Sequence, residues 1–340
     1  MPLKYRPEIN GLRAIAVFAV VFYHANLTVF GYEIFHGGFL GVDVFFVISG
    51  YLITSIIVSD IRNNSFSFRY FYERRIRRII PALFFMLLFS LILAWLFLLP
   101  DQLENYSYSL LGSIFFYSNF HFHYAGLQYA AESSLKLPLL HTWSLAIEEQ
   151  YYIIFPVALY LVSKYLKRYI LAIFVLGFVG SLLLAHWASI THPSINFYSL
   201  PTRGWELLAG ALLAELEIRY SRRSSRLLTQ IMPALGLLMI LFSIGVFNHQ
   251  ILHPSIYSLI PITGCVLLIW FCQRDGFITK ILSNKLLVGM GLISYSLYLW
   301  HHPIFAFARI TGFADEQIYK SLLLILICVL FACFTYYFVE

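Results

Sequence analysis

The sequence predicts an all-α integral membrane protein, a bundle of about ten transmembrane helices with both termini in the cytoplasm. Of its 340 residues, 60% are hydrophobic and 12% are charged, and the mean hydropathy is +0.77. Soluble domains are far richer in charge, and neither disorder nor a disulfide scaffold fits so apolar a chain. A bilayer crossing takes about 20 apolar residues, so the chain can supply about ten crossings and little else.

Ten apolar segments are long enough to cross a bilayer. They are 9–29, 38–59, 79–99, 142–162, 170–187, 203–218, 231–247, 256–272, 286–307 and 321–339. With the N-terminus inside, eighteen of the 23 Lys and Arg residues fall in inner loops and only Lys136, Arg309 and Lys320 in outer ones. This positive-inside asymmetry predicts cytoplasmic termini. The basic balance therefore reflects membrane topology, and no nucleic-acid partner is expected.

One further apolar segment, 107–124, is predicted not to cross. An extra crossing would invert the rest of the chain and place its basic loops outside. Residues 100–141 are therefore predicted to form an outer excursion, which can include a re-entrant segment where protein covers its backbone. The four cysteines lie in or beside apolar segments, and neither a disulfide nor a metal set is readable from them.

Ionisable side chains within the spans are functional candidates, since each costs about 2.5–3.5 kcal/mol to insert. Arg13 and His24 are eleven residues apart, which on a helix is about 20° of net rotation and about 16 Å of rise. They are predicted to share one helix face at two depths. The other intramembrane candidates lie in outer halves of spans and are Asp43, Glu148, Glu149, Arg203, Glu206, His301 and His302. Arg203 and Glu206 are three residues apart and can neutralise each other.

An arginine run, E-R-R-I-R-R-I-I-P-A, leads into the third span. Its cations are Arg74, Arg75, Arg77 and Arg78, and Pro81 is predicted to lie in the first helical turn. Helical spacing would let these side chains bind a phosphate-bearing ligand through charge-assisted hydrogen bonds. They could equally serve as topological anchors or contacts to anionic lipids.

The tryptophans near the span ends allow two interpretations, whereas the glycines are assigned one. Trp143, Trp205 and Trp300 are typical of the interfacial belt, but in an outer cavity they could stack on a sugar ring. Gly41 and Gly50 are predicted to be helix-packing contacts. The histidines of the outer loops are scattered, and no metal site is expected from them.

Composition and topology leave three classes of protein open. They are a proton- or ion-coupled transporter, a membrane-embedded transferase, and a structural or assembly subunit. Transporters often contain inverted repeats with paired broken helices, and none is visible. A transferase needs an activated donor on one side and a base near an acceptor, which suits arginines inside and His, Asp and Glu outside.

Six motifs in order carry a resemblance to a known family. They are Y-R-P-E-I-N-G-L-R-A-I-A-V followed by His24, G-V-D-V-F-F-V-I-S-G-Y-L-I-T, R-R-I-R-R-I-I-P-A, L-L-H-T-W-S-L-A-I-E-E-Q-Y-Y, R-G-W-E-L-L-A-G and Y-S-L-Y-L-W-H-H-P. Over nearly the whole chain the sequence resembles the bacterial acyltransferase-3 family of membrane O-acyltransferases, especially the O-antigen acetylases.

The resemblance implies ten transmembrane helices in the bacterial cytoplasmic (inner) membrane. It also implies transfer of an acetyl group from cytoplasmic acetyl-CoA to a sugar hydroxyl of a surface polysaccharide, an O-antigen or lipopolysaccharide, without a metal. A lipid-linked oligosaccharide, peptidoglycan or a small molecule are alternative acceptors. The fused members continue into a periplasmic SGNH-type domain, so the chain is expected to be their N-terminal part. It would then transfer the acetyl group itself or relay it to a fused or separate outer domain.

The resemblance also implies roles for particular residues. Arg13 and His24 match the family's Arg-x10-His pair, Glu148 the first acid of its Trp-Ser-Leu motif, and His301 the histidine after Leu-Trp. Arg75 and Arg78 match its Arg-x-x-Arg motif, with Arg74 and Arg77 as an alternative frame. The predicted site comprises a catalytic group, Arg13, His24, Asp43, Glu148 and His301; a donor group, Arg74, Arg75, Arg77 and Arg78; and an acceptor pocket, Trp143, Arg203, Glu206 and Trp300.

Overall fold

A computed structural model describes residues 5–29, 32–126, 133–222, 224–248, 250–273, 276–314 and 317–340. Of the eighteen predicted inner cations, Lys4, Arg223 and Arg274 lie outside these ranges, as does the loop residue His249.

The described residues form fifteen α-helices: α1 (Pro7–His24), α2 (Gly41–Arg62), α3 (Phe68–Phe97), α4 (Pro100–Ile114), α5 (Ser118–Ala125), α6 (Thr142–Tyr165), α7 (Ile170–Thr191), α8 (Pro193–Tyr198), α9 (Leu200–Tyr220), α10 (Leu228–Val246), α11 (Leu259–Phe271), α12 (Phe277–Leu282), α13 (Lys285–Leu292), α14 (Ser294–Ile310) and α15 (Ile318–Phe338).

The all-helical prediction is confirmed, apart from one short ribbon. Two strands of two residues each, Thr28–Val29 and Tyr32–Glu33, pair antiparallel after α1. Nine of the ten predicted spans each overlap one α-helix, and the span 286–307 overlaps two helices. Six of the described helices are long and apolar enough to cross a membrane. The helices in the other four predicted spans, α1, α9, α11 and α14, are shorter or carry more polar residues. The count of ten crossings and the cytoplasmic termini stay predictions.

Two boundaries differ from the prediction. Helix α3 begins at Phe68, so the four arginines are helical and Pro81 lies well inside the helix, not in its first turn. Arginine has a high helix propensity, so the helix extends through a run that hydropathy excludes from the span. The predicted span 286–307 is divided at Ile293 into α13 and α14. Gly289 and Gly291, which weaken a helix, lie just before this break.

The predicted outer excursion contains two helices, α4 and α5, of 15 and 8 residues. Neither is among the six helices long and apolar enough to cross. Segment 107–124 is therefore helical in most of its length but is divided between two short elements. Its position outside the membrane stays a prediction.

The chain divides into two compact units. The first comprises Met1–Ala19, His36–Ser67 and Gln150–Leu292, and the second comprises Val20–Phe35, Phe68–Glu149 and Ile293–Glu340. In the first unit, α9 packs against both α2 and α7, and α10 packs against α11. In the second, α14 packs against α3 and α15.

Two glycines let α2 and α9 approach each other closely, as predicted for Gly50. A Cβ on Gly50 would stand 1.9 Å from the carbonyl oxygen of Leu207, and one on Gly210 would stand 2.0 Å from that of Val47. Both obstacles are backbone atoms, which cannot move without separating the helices. Small residues of this kind are the usual means of close helix contact in membranes.

We therefore expect Gly50→Ala to lower the free energy of unfolding by about 2 kcal/mol or more. This is the upper part of the range for overpacking, because backbone atoms must shift to make room for the methyl group. The matched control is Gly180→Ala on α7, where an added Cβ meets nothing within 4 Å. The free energy of unfolding in SDS, measured for both variants in mixed micelles, checks this. Equal stability of the two variants would contradict the packing role of Gly50.

A polar network in the first unit joins the residue before α1 to residues on α2, α9 and α11. The Arg6 guanidinium donates to the Tyr51 hydroxyl (2.7 Å), which donates to Glu217 (2.7 Å). Arg222 donates to the same carboxylate at 2.8 Å, and Arg6 and Arg222 both donate to the backbone carbonyl of Ile269. Arg6 and Arg222 are two of the eighteen predicted inner cations, with no role predicted beyond topology. The structure adds their shared contacts with Glu217 and Ile269.

Candidate functional site

Four histidines lie together in the second unit. His24 ends α1, His301 and His302 lie on α14, and His141 directly precedes α6. The His24 ring centroid is 5.1 Å from that of His301 and 5.0 Å from that of His302, and His141 is 5.5 Å from each of the α14 pair. His141, His301 and His302 are buried, and His24 is half-buried. The structure thus brings two predicted catalytic residues together and adds two neighbours.

Backbone hydrogen bonds define the tautomers of three of these rings. His24 Nδ1 donates to the carbonyl of Val20 (2.9 Å), and His301 Nδ1 donates to that of Tyr298 (2.5 Å). His302 Nε2 donates to the carbonyl of Leu137 (3.0 Å). Because a carbonyl oxygen only accepts, the bonded nitrogen of each neutral ring carries its proton. Nε2 of His24, Nε2 of His301 and Nδ1 of His302 therefore keep their lone pairs, and His24 can act as a base through Nε2.

Tyr298 and Ser144 lie next to the histidines. The Tyr298 hydroxyl is 2.6 Å from that of Ser144 and donates to the backbone carbonyl of His141 (3.1 Å). Burial, with a smaller effect of the neighbouring His24, holds the pKa of the His141 imidazole far below its ordinary value. His141 is therefore neutral at physiological pH.

A polar stripe continues along α14 towards α3. Tyr295 and Tyr298 are three residues apart, and His301 and His302 follow at helical spacing, so all lie towards one side of the helix. The Tyr295 hydroxyl donates to the carbonyl of Ile79 on α3 (3.0 Å). It also lies within electrostatic range of Glu148, Glu149 and Arg78, and Tyr298 within range of Glu148. We call Tyr295, Tyr298, His301 and His302 the α14 stripe.

The four arginines of α3 differ in their surroundings. Arg75 is half-buried and interacts electrostatically with Glu149 on α6. Arg77 is 78% exposed and pairs with Glu73 one turn away (2.8 Å). Arg74 is exposed and lies over the Tyr70 ring, 4.4 Å from its centroid. Arg78 in turn lies within electrostatic range of Tyr295 on α14, so both members of the Arg75 and Arg78 frame interact with α6 or α14.

A second buried cluster lies in the first unit, where Arg203 meets both predicted carboxylates. Its Nη1 atom donates to Asp43 (2.8 Å) and to Glu206 (3.1 Å), which confirms the predicted pairing of Arg203 with Glu206. The same atom lies 3.0 Å from Nε2 of His253, whose Nδ1 lies 3.0 Å from the Ser258 hydroxyl. Burial, and then the Arg203 charge, hold the pKa of His253 well below its ordinary value, so His253 accepts from Arg203 as a neutral ring.

This cluster holds more acid than base. One guanidinium faces two carboxyl groups, all at most 1% exposed. One oxygen of each, Oδ2 of Asp43 and Oε2 of Glu206, has no hydrogen-bond partner among the described residues. The Arg203 charge therefore offsets the repulsion between Asp43 and Glu206, and its loss has a large expected cost in stability.

The remaining predicted residues are Arg13, Trp143 and Trp300. Arg13 is half-buried on α1, in the portion that belongs to the first unit, and the continuity of α1 confirms that it shares a helix with His24. Trp143 is buried at the start of α6. Trp300 is fully buried and donates through Nε1 to Thr335 (2.8 Å), with its ring against Phe89 and Phe331. An acceptor pocket formed by Trp143, Arg203, Glu206 and Trp300 stays a prediction.

The six long apolar helices and the ionisable groups buried among the described helices indicate the class: a membrane protein with many helices and a cluster of four histidines. A family model described as "Acyltransferase domain" matches residues 6–339. The chain therefore belongs to the acyltransferase-3 family, as its motifs indicate.

Three relatives illustrate the similarity. The chain is 34% identical over 354 residues to "Peptidoglycan O-acetyltransferase OatA" of Listeria monocytogenes, covering 99% of this chain and 55% of that protein. It is 31% identical to "Putative peptidoglycan O-acetyltransferase YrhL" of Bacillus subtilis (99% and 54%) and 31% identical to "O-acetyltransferase OatA" of Staphylococcus aureus (99% and 57%). The chain spans about half the length of these relatives. No solved structure matches it.

Proposed function

We propose that the chain is the membrane part of an O-acetyltransferase that carries an acetyl group from acetyl-CoA to a hydroxyl of a surface glycan. The observation that supports this most is the α14 stripe with its neighbours. Within one compact unit, a polar path connects α3, which bears Arg75 and Arg78, with the histidine cluster around His24. Acetyl transfer needs two parts: a site that holds the phosphates of the donor, and a base near the reacting carbonyl. The arginines of α3 would supply the first, and His24 would supply the second.

The phosphates of acetyl-CoA would bind at Arg75, which is half-buried, and at Arg78, which is exposed. Arg74 and Arg77, both exposed, are the alternative frame. The acetylated arm would then extend along the α14 stripe. In direct transfer, the acceptor oxygen attacks the thioester carbonyl, a C–O bond replaces the C–S bond, and His24 Nε2 takes the hydroxyl proton and returns it to the leaving thiolate. Alternatively, Nε2 itself attacks the thioester, so that a C–N bond replaces the C–S bond and the thiolate leaves. The acceptor oxygen then displaces Nε2 from the acetyl carbon, and the hydroxyl proton passes to the thiolate. Glu148 and His301 would orient the reacting groups.

Peptidoglycan is the proposed acceptor. Two of the relatives above carry it in their names, whereas the resemblance drawn from the motifs alone favoured an O-antigen. The relatives' greater length supports a variant of the proposal in which this part relays the acetyl group to a further, SGNH-type domain. The proposed location is the bacterial cytoplasmic membrane, with donor inside and glycan outside.

Sealed inside-out vesicles test the function. They are preloaded with peptidoglycan fragments and supplied with acetyl-CoA radiolabelled in the acetyl group. Label in the enclosed glycan establishes a complete transferase, and label on the protein alone establishes a relay. Vesicles with verified protein that incorporate label in neither, across several glycans, would contradict the proposal and favour a transporter.

The same vesicles separate the two arginine frames. We expect Arg75→Ala/Arg78→Ala to raise the KM for acetyl-CoA at least about 10-fold, since each charge-assisted hydrogen bond contributes about 1.5–3 kcal/mol. Arg74→Ala/Arg77→Ala is the matched comparison, on the same helix with the same loss of charge. A larger rise in the second variant would assign the donor to the alternative frame, and an unchanged KM in both would remove the arginines from donor binding.

A further inference from the structure

Three ring nitrogens of the histidine cluster point to a ligand other than a proton. His24, His301 and His302 each place one ring nitrogen within 4.8 Å of a ring nitrogen of the other two. The backbone hydrogen bonds described above leave one lone pair on each ring. All three therefore offer an acceptor, and none of the three offers its N–H to another member of the set.

Two of these acceptors are unsatisfied in the interior. Nε2 of His301 and Nδ1 of His302 have no hydrogen-bond partner within the ranges that the structure describes, and the two side chains are 0% and 1% exposed. A buried polar atom without a partner costs about 1–3 kcal/mol. Neither ring can rotate to find a partner for its free nitrogen without losing its hydrogen bond to a backbone carbonyl.

The bonded nitrogens supply the second observation. A metal-binding histidine almost always donates its other N–H to a carbonyl or carboxylate, which fixes the tautomer and the ring orientation. Here Val20, Tyr298 and Leu137 provide such carbonyls for His24, His301 and His302. The outer contacts of a three-imidazole metal site are thus already present.

We propose that His24, His301 and His302 form a binding site for one divalent first-row transition metal ion, represented by Zn²⁺. Three imidazoles with an open fourth position are a donor set that Zn²⁺ accepts in a tetrahedral site. With bonds of about 2.0–2.1 Å, the ligand nitrogens stand about 3.4 Å apart. The ring nitrogens lie within 4.8 Å of one another, so they must approach by up to about 1.4 Å, which requires small movements of all three side chains.

Metal binding would also regulate acetyl transfer, and this consequence rests on the proposed function. A bound ion takes the lone pair of His24 Nε2, which is the atom proposed to accept the proton or the acetyl group. Zn²⁺ should therefore inhibit transfer reversibly, and a chelator should restore it. The binding itself does not depend on the activity.

Binding is measured on the purified full chain in detergent, after removal of metal by a chelator. Co²⁺ serves as the probe, since its visible absorption reports a tetrahedral site, and Zn²⁺ then displaces it. We expect one Co²⁺ per chain, displaced by one Zn²⁺, with no response to Mg²⁺, a hard cation that prefers oxygen ligands. Absence of a stoichiometric Co²⁺ spectrum would overturn the proposal.

Single variants locate the site. We expect His301→Gln and His302→Gln each to weaken Co²⁺ binding at least about 100-fold, the upper end of what loss of an outer contact alone causes. His121→Gln, on α5 outside the cluster, is the matched control and should bind as the unaltered chain does. Size-exclusion profiles and helical circular dichroism verify folding. Undiminished binding in both folded cluster variants would place the metal elsewhere and overturn the proposal.

A comparison of binding with transfer separates the two proposals. A chelated chain that transfers acetyl but shows no Co²⁺ spectrum would remove the metal site and leave the proposed function. A chain that binds Co²⁺ through the histidines, but in which neither the protein nor the acceptor becomes labelled, would keep the metal site and remove the proposed function. Transfer that persists unchanged with Zn²⁺ bound would overturn the regulatory consequence.

Discussion

Replacement of His24 by alanine is expected to lower acetyl transfer by a factor of about 10²–10⁴, the contribution of a positioned general base. The side chain is the one half-buried member of a cluster whose other rings are buried, so it is the member that substrate can reach. Its tautomer already leaves Nε2 unprotonated. The measurement is the initial rate of label transfer at saturating acetyl-CoA, in vesicles that hold equal amounts of protein.

Two comparisons make this result specific. His121→Ala removes an imidazole from α5 and should leave the rate near that of the unaltered chain. The KM for acetyl-CoA should change little in His24→Ala, since the donor phosphates are proposed to bind at α3. A His24→Ala chain that inserts normally and keeps its full rate would contradict the assignment of this residue.

Loss of Arg203 is expected to cause the largest loss of stability. Arg203→Met would leave Asp43 and Glu206 buried beside each other without their common cation. Removal of one partner from a buried ion pair typically costs about 3–5 kcal/mol, because a charge remains buried without compensation. The free energy of unfolding in SDS, measured in mixed micelles, should fall by this amount.

Removal of the two acids together with Arg203 is expected to restore stability. Arg203→Met/Asp43→Asn/Glu206→Gln removes both acids with the base and should recover much of the lost stability. Arg77→Ala is the contrasting single variant, since its ion pair with Glu73 is exposed and such pairs contribute about 0–1 kcal/mol. If Arg203→Met and Arg77→Ala destabilised the protein equally, the buried cluster would have no special role.

Much of this structure was predictable from local patterns. Hydropathy located a helix in each predicted span, and helical spacing paired Arg203 with Glu206 and set Arg13 and His24 on one helix. These features depend on residues within a few turns of each other. Hydropathy placed the start of α3 too late, at residue 79 instead of Phe68, because a helix can continue beyond its apolar part.

The long-range contacts were not predictable in the same way. Asp43 and Arg203 are 160 residues apart, and no periodicity in either segment specifies that they meet. His302 follows a predicted residue directly, yet its role depends on the carbonyl of Leu137, 165 residues away. The doubled histidine in Y-L-W-H-H-P was the available signal for His302, and His141 stands in the quoted L-L-H-T-W-S motif. Packing decides which of these rings face each other.

The length of α3 also affects how a donor would be bound. Its 30 residues span about 45 Å, whereas the hydrocarbon core of a bilayer is about 30 Å thick. The excess of about 15 Å equals the helical length from Phe68 to Arg78. If α3 crosses at the predicted span that begins at residue 79, the four arginines lie on a helical extension beyond the hydrocarbon core. The backbone that presents them is ordered before any ligand arrives. A phosphate-bearing donor would therefore bind without the conformational entropy loss that a flexible loop would impose.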